Sequence, residues 1–261
     1  MFIHPNIDPV AISLGPLKVH WYGIMYLVGF ALAWALANYR IKHLNLNWQR
    51  EEVADLIFFA ALGIIAGGRI GYMLFYNFSA WLHQPIQIFK IWEGGMSFHG
   101  GLIGVIIALY LFAQKFHKSF LEVADFTAPL VPLGLAAGRI GNFINGELWG
   151  KPTMVKWAMI FPQLDNLPRH PSQIYEFCLE GIGLFLILFF YSNKPRRPGC
   201  VMAIFLIFYG IFRFIIEFYR QPDVQLGYIF NFLTMGQLLS LPMLCIGMVI
   251  YFYQKKHAKL S

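Results

Sequence analysis

Charge is scarce in this chain. Asp, Glu, Lys and Arg make up 13% of its 261 residues, where ordinary soluble domains carry about 25%. Beside that scarcity stand a 58% hydrophobic fraction and a mean hydropathy of +0.56, which point to an integral membrane protein rather than one or two soluble domains. Cysteine is scarce too. Cys178, Cys200 and Cys245 lie in or beside apolar runs, with no CxxC and no histidine at ligand spacing, so they read as small buried hydrophobes rather than disulfides or ligands. HExxH, the P-loop and GxSxG are all missing, the nearest approach being GMSFH at 95–99, and the remaining histidines are scattered. A metalloprotease or a serine hydrolase is therefore disfavoured. Residues 1–18 lack the basic region and small-residue cleavage site of a leader, so the first apolar run is expected to stay as a span.

What is present is a set of seven apolar runs, near 19–38, 54–76, 96–114, 123–145, 171–191, 201–219 and 235–254. Each is long enough for a bilayer core of about 30 Å, which takes about 20 residues of helix. The expected fold class is an all-α integral membrane protein, a single transmembrane domain over 1–261 with a short outer cap at about 147–170. That connection carries Trp149 and Trp157 among Pro152, Pro162 and Pro168, and an aromatic content of 18% suits interfacial belts.

The net charge of +7 is explained by topology before any polyanion is invoked. Eleven Lys and Arg residues fall on the side of the loops after the first, third and fifth runs and the C-terminal tail, including Lys194, Arg196, Arg197 and Lys259. Six fall on the other side and three inside the runs. The positive-inside rule then places the N-terminus outside (periplasmic) and the C-terminus in the cytoplasm. No nucleic-acid partner is needed.

The three arginines inside the runs are Arg69, Arg139 and Arg213. Unpaired at the centre of helices they would cost about 8–10 kcal/mol together, so they are expected to face a wet cavity, pair with acids or bind an anion. With the topology above, all three lie in the outer halves of their spans. His99 near the start of the third run and Tyr22 near the start of the first lie at the same level. Arg139 and Asn142 are three residues apart and share a helix face, with Asn145 continuing it and Glu147 at or beyond the surface. Arg213 and Glu217, four apart, also share a face, extended by Tyr209.

Each group has a plainer reading beside the functional one. Arg139 is a candidate for a structural pair with Glu147, Asp125 or Glu217, and Arg213 for one with Glu217. Arg69 is near enough to the surface to snorkel. His99, between glycine pairs, suits close helix packing as well as proton transfer. Asp125 lies too far inward for chemistry and reads as structural. The arginines suit bidentate phosphate binding, and at headgroup depth the available phosphate is a phospholipid's. The residues alone therefore reach an outer-leaflet phospholipid site. A lipid transporter and a non-catalytic lipid-binding scaffold remain the competing classes. Midplane sites, expected of transporters, are not what these positions suggest.

Six stretches go further: HWYGIMYLVGF at 20–30, GGRIGYMLFYN at 67–77, GGMSFHGGLIG at 94–104, GRIGNFINGELWG at 138–150, RHPSQIYE at 169–176 and YGIFRFIIEFYRQPD at 209–223. In this order they resemble the bacterial phosphatidylglycerol–prolipoprotein diacylglyceryl transferases. The resemblance runs from about residue 4 to the last span. It implies a seven-helix enzyme of the bacterial inner membrane that moves the sn-1,2-diacylglyceryl group of phosphatidylglycerol to the lipobox cysteine thiol in the signal peptide of a preprolipoprotein, leaving glycerol phosphate. It implies no metal or other cofactor. It also implies that Arg139 contacts phosphatidylglycerol, and that Tyr22, His99, Asn142, Glu147, Gly150, Arg213 and Glu217 matter to the site. On that footing Arg139, Arg213, Asn142 and Gly150 are the expected lipid-binding residues. His99 is the first candidate for the base that frees the thiolate, with Glu147 or Glu217 as alternatives, and Tyr22 would orient the lipid or the thiol.

Overall fold

The structure, a computed structural model, describes residues 2–15, 17–222, 229 and 232–257. Lys259 and Asp223, which entered the charge count and the last sequence stretch, lie outside the described residues. The chain divides into two compact units, Met1–Leu36 with Asp125–Ser261, and Ala37–Ala124.

The smaller unit is built on α2 (Arg50–Phe75) and α4 (Phe98–Lys115), with the end of α1 (Trp21–Leu44). Small residues recur every fourth position on both partners: Gly63, Gly67 and Gly71 face Gly100, Gly104 and Ala108. A Cβ on Gly67 would stand 2.8 Å from Gly104 Cα, and one on Gly71 2.8 Å from Gly100 Cα. The two backbones meet closely because neither helix has a side chain in the way. Between them the chain runs along α3 (Phe78–His83) and the 3₁₀ turns Pro85–Phe89 and Ile91–Glu93. At the other end of this helix pair Trp48 stacks on Phe112, and Lys118 sits over Trp48 while pairing with Glu52 at 3.3 Å.

The larger unit starts with α1 and the hairpin before it, β2 (Val10–Leu14) with β3 (Leu17–His20). Next comes the broken pair α5 (Phe120–Thr127) and α6 (Val131–Ile144). Pro129 and Pro132 lie at the break, where proline removes a helical donor. One continuous run then joins α7 (Ser172–Glu176), a π-helical stretch (Phe177–Gly183) and α8 (Leu184–Ser192). The unit closes with α9 (Cys200–Ile216) and α10 (Met235–His257). Asp125, on α5, accepts from the backbone N–H of Gly199 at 2.8 Å and of Met202 at 2.7 Å. It caps the start of α9, which bears out its structural reading.

Five helices are long and apolar enough to cross a membrane, six if the broken pair counts as one span, while α9 is shorter. Only 17–28% of the residues in the most apolar window of each of the five are buried within the protein, and large apolar side chains such as Leu27, Phe58, Ile103 and Val249 are exposed, as lipid-facing helices require. The all-helical expectation left out two small sheets. Besides the hairpin, β1 (Phe2–Ile3) pairs with β4 (Met159–Ile160), and β4 with β5 (Pro168–Arg169). The second sheet ties the N-terminal residues to the 147–170 connection.

Candidate active site

Three helices bring their polar positions together in the larger unit. Near its end, α6 presents Arg139. Glu176 closes α7, and Glu180 lies one wide turn later in the π-helical stretch. Arg213, Glu217 and Arg220 come from the end of α9 and the turn after it. Arg139 Nε lies 2.8 Å from Glu176 Oε2, and Arg139 Nη2 donates to Glu180 Oε2 at 3.3 Å. Arg213 Nη1 donates to Glu176 Oε1 at 3.0 Å and stands 3.6 Å from Glu180 Oε1, while its Nη2 pairs closely with Glu217. Arg220 Nη1 reaches Glu176 Oε1 at 3.4 Å.

The cluster balances three guanidiniums against three carboxylates, which is what permits charge at such depth. Its layering matters for function. The Glu176 and Glu180 side chains have 0% exposure, whereas those of Arg139 and Arg213 keep 16% and 15%. The acids form the floor, and the guanidiniums have edges left to present to a ligand. A guanidinium carries five N–H donors, so holding carboxylates does not exhaust it.

A second layer continues from Arg139. Its Nη1 donates to Asn142 Oδ1 at 3.4 Å, and Asn142 Nδ2 is 3.5 Å from Glu147 Oε2. Asn145 Nδ2 donates to Glu147 Oε1 at 2.9 Å. Glu147 is thus an exposed carboxylate held by two amides, at a turn where Gly146 (φ 63) and Leu148 (φ 57) both take left-handed backbone. That turn is fastened from α7: Ser172 Oγ donates to Leu148 O at 2.7 Å, and Gln173 Nε2 donates to Glu147 O. The Oδ1 of Asn145 and the Oε1 of Gln173 are buried without a hydrogen-bond partner among the described residues. Tyr22, on α1, packs against Gly141 and hydrogen-bonds Tyr26 at 3.3 Å.

Gly150 is placed by backbone crowding. Its N–H donates to His170 O at 2.9 Å, its carbonyl accepts from Arg169 Nη1 at 3.2 Å, and it bridges to Arg220. A Cβ there would lie 2.6 Å from His170 O and 2.7 Å from Tyr219 O. Glycine therefore lets the 147–170 connection seat against the end of α9, directly behind Arg220.

Of the residues picked from sequence, Tyr22, Arg139, Asn142, Glu147, Gly150, Arg213 and Glu217 all fall in this unit, and Arg213 and Glu217 pair as their spacing implied. The partners offered for Arg139 need correction: the carboxylates touching it are Glu176 and Glu180, not Glu147, Asp125 or Glu217. Arg220, one of the six Lys and Arg residues that the charge pattern places on the outer side, is a buried member of the cluster. His99 and Arg69 belong to the smaller unit. His99 is exposed in the first turn of α4, edge-on to Phe98. Arg69 is 4% exposed and does not snorkel.

Comparison with known proteins settles the kinship. Residues 9–253 match the family described as prolipoprotein diacylglyceryl transferase. The chain belongs to that family. It is 61% identical over 256 residues to the phosphatidylglycerol–prolipoprotein diacylglyceryl transferase of Legionella pneumophila strain Lens, covering 98% of this chain and 100% of the relative. It is 58% identical over 258 residues to the Coxiella burnetii strain RSA 331 enzyme of the same name, with 98% and 99% covered. Family membership and the apolar helices make this a multi-pass membrane transferase.

Proposed function

We propose that the chain transfers the sn-1,2-diacylglyceryl group of phosphatidylglycerol to the lipobox cysteine thiol in the signal peptide of preprolipoproteins. This would be the first step of lipoprotein maturation in the bacterial inner membrane. The names of its relatives and the guanidinium layer over buried glutamates support the reading. The sulfur attacks the glycerol carbon bonded to the phosphate oxygen. A C–S bond forms, the C–O bond breaks, and the electron pair leaves with glycerol phosphate. The thiol proton passes to a base. The step balances without a redox partner or a cofactor.

Arg139 and Arg213 bind the phosphate and meet the charge that grows on it as the C–O bond breaks. Such help is worth most from donors already fixed in place, and Glu176 and Glu180 fix them. Asn142 donates to a phosphate or glycerol oxygen, Gly150 lets the wall close behind the cluster, and Tyr22 orients lipid or thiol. His99 is the base we favour, with Glu147 next and Glu217 disfavoured by its pairing with Arg213. A free thiol has a pKa of about 8.5, so a base or local positive potential must favour the thiolate.

In the same reading the chain crosses the membrane seven times. Helix α9, 17 residues long, reaches about 26 Å at 1.5 Å per residue and serves as the sixth span. The N-terminus lies outside, the C-terminus in the cytoplasm, and the site opens to the outer leaflet.

The test is reconstitution of the purified chain with a lipobox peptide in vesicles of phosphatidylglycerol or of phosphatidylethanolamine. A thioether-linked diacylglyceryl peptide should form with the first lipid only. Lipid crossing the bilayer without covalent product would favour a transporter, and lipid binding without product a scaffold.

A further inference from the structure

Arg69 has no part in the reading above, yet it is among the most fully engaged side chains in the smaller unit. Its Nε donates to Ile88 O at 3.2 Å, its Nη2 to Gln87 O at 2.5 Å, and its Nη1 to Gly95 O at 3.2 Å and, closely, to Gly94 O. Four of the five N–H donors of a guanidinium are thus spent on carbonyls from both sides of the Ile91–Glu93 turn. An arginine so committed is a poor phosphate ligand and a good clamp.

What it clamps is the approach to His99. Gly94 has φ 78 and ψ −167, a region essentially closed to other residues. Gly95 (φ 79) lies against the Tyr72 ring, where a Cβ would stand 2.6 Å from Cζ. Met96 packs on Gly68, and the Ser97 N–H donates to Gly68 O at 2.8 Å. Ser97 Oγ then accepts from the Gly100 N–H at 3.3 Å and caps α4. Every residue from Gly94 to Ser97 is therefore fixed by the single turn of α2 that runs from Gly68 to Tyr72, and the next turn carries His99.

We propose that Arg69 is a positioning residue: it holds Gly94–His99 in the one conformation that diacylglyceryl transfer requires. The proposal rests on the transfer reading and on His99 as a site residue. A lysine cannot replace it, because one ammonium cannot span carbonyls arranged around a planar fork.

The experiment compares Arg69→Lys with the unchanged enzyme in phosphatidylglycerol vesicles, alone and in a His99→Ala background, together with hydrogen exchange of the 95–101 amides. Misplacing a catalytic group by an ångström costs about a hundredfold in rate, so kcat should fall about 10–100-fold. KM for the lipid should stay within about twofold, as for a contact that acts on the transition state. Exchange should quicken, and in the His99→Ala background Arg69→Lys should cost nothing more, since coupled residues do not add. An unchanged kcat, unchanged exchange, or losses that multiply with those of His99→Ala would overturn the proposal. If His99→Ala alone keeps full kcat, the His99 assignment falls, and kcat and exchange of Arg69→Lys decide the clamp by themselves. Should Arg69→Lys fail to fold, Gly94→Ala replaces it: a Cβ there meets nothing within 4 Å, so only the backbone is disturbed, and the same outcomes apply.

Discussion

Glu176 touches three arginines and has no exposed side-chain surface. Glu176→Gln keeps its shape but removes the charge, leaving those guanidiniums under-compensated. Breaking a buried pair costs about 3–5 kcal/mol, so the melting temperature in detergent should drop clearly and kcat/KM should fall with it. Glu217→Gln should do less, because Arg213 keeps Glu176 and Glu180. Melting curves and initial rates on the two variants check the ranking. Neither Glu176 nor Glu180 was picked from sequence, although both were legible in principle. They stand four apart in YEFCLEGIG, a carboxylate pair on one face of an apolar run, as costly there as any arginine. Arg139 and Arg213 were found because a lone arginine in such a run is conspicuous. Their partners lie in a different apolar run, 37 and 41 residues along the chain, and spacing within one run cannot show which helices pack together.

At the scale of elements, α2 and α4 meet through glycine. Gly67→Ala puts a Cβ against the Gly100 carbonyl and 2.8 Å from Gly104 Cα, and backbone cannot step aside. That variant should lose stability by about 1–3 kcal/mol, the usual cost of overpacking, read as a lower melting temperature. The end of the 147–170 connection and the start of α7 offer a pH signature. Trp157 Nε1 donates to the Tyr175 hydroxyl at 2.7 Å, which lies 3.0 Å from His170 Nδ1. Partial burial, and then the nearby Lys151 charge, hold the His170 imidazole below the ordinary histidine value. The unfolded chain therefore takes up this proton at higher pH than the folded one. His170's contribution is complete above the ordinary value of about 6.5 and erodes as pH falls from there through the folded value. Melting between about pH 7.5 and 5.5 should show a smaller decline in His170→Gln than in the unchanged protein.

Most helices were legible because apolar length is a strong signal: the run at 54–76 became Arg50–Phe75 and that at 96–114 became Phe98–Lys115. The π-helical stretch at Phe177–Gly183 leaves no mark on an apolar sum. Strands of two residues, such as β1 and β4, are too short to show any alternation.

For the molecule as a whole, the excess of Lys and Arg in alternate connections gives an orientation that can be measured. A fluorescent reporter fused after the last helix should fold and fluoresce on the cytoplasmic side, and one fused to the N-terminus should not; the reverse would invert the topology and put the arginine layer at the inner leaflet. The central claim is narrower: the guanidiniums of Arg139 and Arg213, held from below by Glu176 and Glu180, take the lipid phosphate. It is tested most directly by an experimental structure of the enzyme with phosphatidylglycerol bound. The account predicts phosphate oxygens within hydrogen-bonding distance of both guanidiniums while Glu176 stays paired beneath them. A phosphate seated elsewhere, with Arg139 and Arg213 touching only their glutamates, would contradict it.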